Sequence, residues 1–258
     1  LDKSTIQWWI HNAPFMEKPI REPDPDIVAF TDSSLTGWGY DIPQLNMSNG
    51  GKWPKEFKGQ HINTLECRAV LICLESCFKD VHNQHIRIMS DSTVTVAAIS
   101  NQGSTKSASC HQVAVQIWEW ALDSHNWISA AHIAGKLNCN ADRHSREFHD
   151  DIEWGLNVKC FQKIEAKFGP HDIDLFASMY NFKIKNYCSW KPDRNSSFVD
   201  AFSISWNQFT NPYIFAPFSV LGRVAQKIVL DLVQQATVII PFWPTQPWYP
   251  LLTKMVIK

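Results

Sequence analysis

Apolar positions along this chain recur first in strand-like and helix-like segments of one α/β stretch, then in a shorter stretch of the same kind. Residues 27–30 form a short apolar strand that runs into Asp32, and residues 37–40 read as its hairpin partner. Residues 46–59, rich in Gly, Asn and Lys, read as a loop or a ragged strand pair. Thr64 is placed to cap a helix whose apolar positions Leu65, Ala69, Leu71, Ile72 and Leu74 cover a broad face through Phe78. Residues 85–89 alternate as a strand ending at Asp91, and a helix starts at Ser92 and continues to Ile99. Helical spacing returns over 107–122, a strand over 127–132 and a helix over 138–148. That alternation predicts a mixed sheet covered by helices.

Polar residues cluster at 147–153, and the boundary between two domains is expected there. Beyond it the pattern gives a helix over 158–168, a breaker at Gly169-Pro170 and a strand over 173–176. A strand over 213–215, a helix from Ser219 to about Gln234 and a strand over 237–240 follow, then a Pro/Trp-rich tail. Strand, helix and strand at that length make a βαβ unit, so a smaller α/β domain is expected. Residues 1–25, with Trp8-Trp9 and a proline-spaced polar stretch, read as a lead-in from a preceding domain.

At 258 residues and 45% hydrophobic content the chain has enough apolar material for a sizeable core and is not a disordered segment. No apolar run reaches the length of a membrane span, and the start lacks the basic-then-apolar order of a secretion signal. The first residue is Leu, so the chain reads as a piece of a longer polypeptide. Seven cysteines without regular spacing favour a reducing, intracellular setting (cytoplasm or nucleus) over a secreted one. Cys73, Cys77, His82 and His85 form a zinc-like string. The favoured reading puts the two thiols on the buried side of a helix and the two histidines in the loop after it.

The net charge of −1 does not advertise a nucleic-acid binder, but it is unevenly divided. Residues 1–150 carry 13 Lys+Arg against 17 Asp+Glu; residues 151–258 carry 11 against 8. Part of the first deficit is four carboxylates in four separate contexts. Asp32 and Asp91 close strands, while Glu66 and Asp142 are expected in the first turns of helices. Strand ends and helix starts converge on one edge of an α/β sheet, so all four can face one cavity. Carboxylates gathered there repel each other unless a hard cation needs them, and Mg²⁺ takes oxygen ligands. Two such ions would bridge one phosphate, one lowering the pKa of an attacking water and the other stabilising the leaving oxygen.

The contexts FTDSSLTGWG, HINTLECRAV, MSDSTVTVAAISNQG and HIAGKLNCNADRHSR resemble the ribonuclease H domain of reverse-transcribing elements. The resemblance implies a ribonuclease H-like α/β mixed sheet with flanking helices over residues 26–150. It also implies a metal-dependent endoribonuclease cutting the RNA of RNA–DNA hybrids. Asp32, Glu66, Asp91 and Asp142 would be the ligands of two Mg²⁺ ions, with Mn²⁺ able to substitute. His132 is marked as a mobile histidine that assists proton transfer or product release. Asn63 and Asn138 are candidate hybrid contacts that would equally serve as helix caps. Thr93, Ser104, Thr105 and Lys106 are candidate phosphate contacts.

The strings DIDLFAS, SWKPD, VDAFSISW, FAPFSVLGRVAQKI and PFWPTQPWYPLL resemble the segment after ribonuclease H in DIRS-type retrotransposons, which carry a tyrosine recombinase. That segment is similar to phage-type DNA adenine methyltransferases, so residues 151–258 are expected to form a degenerate Rossmann-like methyltransferase domain. The start of the chain resembles the connection from a reverse transcriptase domain, the implied partner in the same polyprotein. Phe215-Ala216-Pro217-Phe218 stands where the methyltransferases place a polar residue for the adenine amino group. Gly155, Gly169 and Gly222 are too few and too scattered for a cofactor-hugging loop. Asp174 could hold a ribose or an amine, or cap a strand end. Lys183, Lys185, Lys191 and Arg194, with Tyr187 and Trp190, could track a strand by charge and stacking. Two other functions stay open at this point: an adenine methyltransferase with an accessory nuclease-like domain, and a non-catalytic hybrid-binding connector of a reverse transcriptase.

Overall fold

The computed structural model describes residues 3–15, 23–147 and 155–256. A helix, α1 (Lys3–Asn12), leads in. Residues 16–22 of the expected lead-in and most of the expected boundary at 147–153 lie outside the described residues.

The first sheet joins β1 (Ile27–Ser33), β2 (Gly37–Ile42), β3 (Met47–Lys52), β4 (His85–Ser90) and β5 (Trp127–His132) in the order β3-β2-β1-β4-β5. The first three strands are antiparallel neighbours, and β4 and β5 add in parallel. Helices α2 (Ile62–Cys77), α3 (Thr93–Ser100), α4 (Ala108–Asp123) and α5 (Cys139–Arg146) flank it. This is the mixed α/β arrangement that the ribonuclease H resemblance implies.

Alternation sorts the faces. Trp38, Tyr40 and Ile42 of β2 join Ala29, Ile86, Ile88 and Ile128 in a core closed by α2, α3 and α4. The opposite row pairs Asp32 with Gly39 and Gly39 with Gly50, and α5 lies on it. A Cβ on Gly39 would collide with the Ala141 carbonyl and the Ser145 amide. A Cβ on Gly50 would strike the His144 carbonyl. Two glycines in register therefore let the α5 backbone rest directly on the sheet.

Of the two readings of 46–59, loop or ragged strand pair, the second is nearer: Met47–Lys52 forms a paired strand, β3, whose Gly50 fits beneath α5. Two local expectations are corrected. Helix α2 starts earlier than the Thr64 cap implied: His61 is the N-cap and accepts the Asn63 N–H at 3.2 Å. Thr64 is buried, and its hydroxyl pairs with Ser109 at 2.9 Å. The zinc-like string is dispersed. Cys73 is fully buried, His82 contacts the Ser124 carbonyl, and His85 lies on β4 against the Ser129 hydroxyl rather than in a loop. All seven cysteines are free thiols.

After α6 (Val158–Phe168) comes a second sheet of β6 (Asp174–Ala177), β7 (Tyr187–Ser189), β8 (Phe198–Val199), β9 (Tyr213–Ile214) and β10 (Thr237–Val238). All its pairings are parallel, in the order β10-β9-β6-β7-β8. Helices α7 (Leu221–Leu230) and α8 (Trp248–Lys254) pack on it around Trp206, Ile214, Leu221 and Val224. Short β7 and β8 were not foreseen, nor was α8 inside the Pro/Trp-rich tail. Among the described residues no helix is long and apolar enough to cross a membrane.

Candidate active site

Strand β1 delivers Asp32 to the α5 side of the sheet, at the end where β4 gives way to Asp91. Ser145, fully buried on α5, approaches Asp32 Oδ2 at 2.6 Å and the Asp142 carbonyl at 2.8 Å. Its single proton serves the shorter carboxylate contact while Asp32 is ionised. The glycine pair makes this reach possible by setting α5 low on the strands.

Glu66 comes from the second turn of α2, one residue after the buried Leu65. It is buried, and its Oε2 has no hydrogen-bond partner. Asp91 follows β4, and the next residue, Ser92, caps α3 by accepting the Thr95 N–H at 3.3 Å. Ligand atoms of Asp32, Glu66 and Asp91 all lie within 4.8 Å of one another, with Asp91 the more open member. Three of the four predicted acids are thus brought together.

Burial is the main cause that lifts the Glu66 carboxyl to about 9. The neighbouring Asp32 and Asp91 charges add to it, and the Ser33 backbone N–H and Arg146 oppose it. Burial also raises Asp32 to about 6; Ser145 lowers it and the Asp91 and Asp142 charges raise it. A buried acid with an orphan oxygen beside two others is a costly arrangement for the bare protein. Its all-oxygen donor set fits a hard divalent cation.

Asp142 stands apart from the three. Its Oδ1 pairs with Arg146 Nε at 2.6 Å, one helical turn along α5, although its charge is felt at Asp32. His132 ends β5 in register with Ser90, exposed at the edge of the sheet, one strand from Asp91. Thr93 is exposed at the start of α3, Lys106 is exposed in the turn just before the Ser107 cap of α4, and Asn63 is half-buried in the first turn of α2. Asn138 is buried, and its amide donates to the Thr31 carbonyl at 3.0 Å. It pins the turn before α5 to β1 and makes no side-chain cap.

No known family profile and no curated protein matches this chain. Solved structures similar to it include RNase H1 proteins and an RNase H domain. One, RNase H1 from the halophilic archaeon Halobacterium salinarum NRC-1, is 18% identical with a TM-score of 0.39 over 48% of this chain and 98% of that one. LC11-RNase H1 in complex with RNA/DNA hybrid is 16% identical with a TM-score of 0.40 over 46% and 93%. The N-terminal RNase H domain of a Mycobacterium tuberculosis protein, fused to maltose-binding protein, is 18% identical with a TM-score of 0.36 over 46% and 94%.

Two residues at the site escaped the sequence reading. Ser145 and Arg146 follow Asp142 by three and four positions, the spacing that puts helix residues on one side. That spacing was available; that α5 would sit within reach of Asp32 was not.

In the second unit, Asp174 begins β6 and accepts the backbone N–H groups of Phe176 and Lys183 at 3.4 and 3.0 Å. It is a buried loop anchor, raised to about 6 mainly by desolvation. The expected charge-and-stacking track is largely used internally. Tyr187 is buried against Phe182, Lys183 Nζ donates to the Asn181 carbonyl, and Arg194 pairs with Glu75. Trp190, Lys185 and Lys191 stay exposed.

Proposed function

We propose that this chain is a metal-dependent ribonuclease H that cleaves the RNA strand of RNA–DNA hybrids during reverse transcription of a retroelement. The observation that carries the reading is the Asp32–Glu66–Asp91 cluster, two of its acids buried and one carboxylate oxygen of Glu66 an orphan. Asp32, Glu66 and Asp91 would hold Mg²⁺, and Asp142 would join on release from Arg146. Two ions there would supply an attacking water of lowered pKa and a stabilised leaving oxygen.

The chain's own groups do the rest. Ser145 orients Asp32 by donating to its Oδ2. Arg146, one helical turn from Asp142 and bonded to it, offers a guanidinium suited to a phosphate oxygen once Asp142 lets go. His132, exposed at the strand end beside Asp91, is placed to pass a proton to the leaving group or to escort product out. Thr93, at the start of α3, and Lys106, in the exposed turn before α4, would meet the hybrid backbone.

For residues 151–258 we keep the reading as a degenerate methyltransferase-like domain of a DIRS-type polyprotein; the second sheet's strand order supports its Rossmann-like part. That order corresponds to the doubly wound arrangement, in which ligands sit at the carboxyl ends of the strands. Ala216 is buried just after β9, and no polar side chain replaces it in the Phe215-Ala216-Pro217-Phe218 string. Asp174 lies at the opposite, amino end. We therefore assign no methyl transfer to this unit.

The test is cleavage of an RNA–DNA hybrid by the intact chain with Mg²⁺, compared with Asp91→Asn. The substitution is expected to reduce cleavage to background. Undiminished cutting by the variant would refute the site.

A further inference from the structure

The first sheet ends on a strand that cannot seal itself. On the core-facing side β3 presents Met47, Asn49 and Gly51, paired in register with Ile42, Tyr40 and Trp38. Gly51 brings no side chain, and Asn49 is polar, so the core beside the Trp38–Tyr40 stack is open at this edge. An uncovered edge strand with bare backbone is unstable and prone to wrong pairing.

Residues 179–196 of the second unit fill that gap. The Tyr180 ring stands over Gly51 and its hydroxyl donates to the Lys52 carbonyl at 2.9 Å. Met179 packs against the first core rather than the second. The Pro192 carbonyl accepts from both Tyr40 Oη at 3.2 Å and Asn49 Nδ2 at 3.3 Å. Lys79, just past α2, reaches the Asp193 and Ser196 carbonyls with its Nζ at 2.8 Å each. Arg194 forms an ion pair with Glu75 on the same helix at 3.3 Å.

The segment is itself held in shape. Asp193 is buried and takes the Met179 N–H on one oxygen at 2.7 Å and the Asn195 N–H on the other at 2.9 Å. It thereby ties the two ends of the contact region to each other. A preorganised loop loses little entropy on contact, so its bonds to the first unit are not offset by ordering it.

We propose that residues 179–196 are a built-in brace for the first unit: they clamp β3 from the core side while α5 presses on it from the other. Because α5 rests on Gly39 and Gly50, the brace also fixes the seat of the helix that carries Asp142 and Ser145. The second unit is thus a structural part of the site it does not line. This holds whether or not the chain cuts RNA.

Hydrogen exchange of the full chain tests it. The double variant Lys79→Met/Met179→Ala is expected to speed exchange in segments 47–52 and 139–146 by about tenfold, the change that ~1.4 kcal/mol produces. Segment 221–230 of α7 is expected to exchange as in the parent. Tyr180→Phe, which removes one hydroxyl and keeps the ring, is expected to act in the same segments more weakly. Unchanged exchange over 47–52 and 139–146 in both variants would overturn the brace. Equal acceleration in 221–230 would overturn it too, since the contacts would then stabilise the whole chain without distinction.

Discussion

Asp32 depends on a single neutral donor. The Ser145 hydroxyl is the side-chain hydrogen bond that lowers its pKa against the combined push of burial and two nearby carboxylates. In a metal site such an outer partner orients the ligand, and losing one costs about 10–100-fold in metal affinity. Ser145→Ala should therefore weaken Mn²⁺ binding by roughly that factor in calorimetric titration, whereas Ser145→Thr should retain most of it. Equal affinity in the alanine variant would remove Ser145 from the site. Arg146 differs in kind. Its bond to Asp142 is a surface i,i+4 pair, the sort worth only a few tenths of a kcal/mol, so it yields readily to a divalent cation.

Between residue and molecule, the α5 helix has the largest consequence for its length. Eight residues bring Asp142, Ser145 and Arg146 to one end of the sheet, and they do so only because Gly39 and Gly50 leave room. Gly39→Ala forces the helix outward against backbone atoms that cannot rotate away. The expected loss is about 1–3 kcal/mol of stability, read as a lower urea midpoint with an unchanged m-value, together with weaker Mn²⁺ binding. A midpoint equal to the parent's would mean that α5 does not rest where we place it. The same scale shows why some elements were legible and others were not. Strands β1, β4 and β5 carry alternation or apolar runs that sequence periodicity detects. Strand β3, Met-Ser-Asn-Gly-Gly-Lys, carries neither, because its burial comes from neighbours rather than from its own side chains. β8 has two residues, too few for any period. Glu66 was expected in a first turn, but α2 begins at Ile62 with a histidine cap.

Across the whole molecule three buried carboxyls act in one direction. Asp32 and Asp174 are raised to about 6 and Glu66 to about 9, each mainly by desolvation. In the unfolded chain these groups lose their protons near pH 4, whereas the folded protein keeps them longer. The unfolded state then binds fewer protons, so stability falls as pH rises, from about 4 to 6 for the aspartates and up to about 9 for Glu66. The slope is at most ~1.4 kcal/mol per pH unit for each group. Thermal unfolding in a chelator should show a falling Tm between pH 6 and 9. Added Mn²⁺ should flatten that fall, because a cation replaces the Glu66 proton. A Tm that rises through this window, or ignores the metal, would contradict the assignment.

What the sequence determined by itself is the set of reactive groups and the elements that carry them. Acids at strand ends and apolar periodicity are local properties, and local properties survive in a string of letters. Tertiary structure alone decided which of those acids meet. Asp32, Glu66 and Asp91 converge because the end of β1, the second turn of α2 and the residue after β4 meet at one edge, while Asp142 on α5 stands outside that cluster, paired with Arg146. It also decided that Asn138 is an internal pin and that Tyr180 belongs to the first sheet's core edge. Such contacts join residues about a hundred positions apart, and no periodicity within either segment encodes the distance between them.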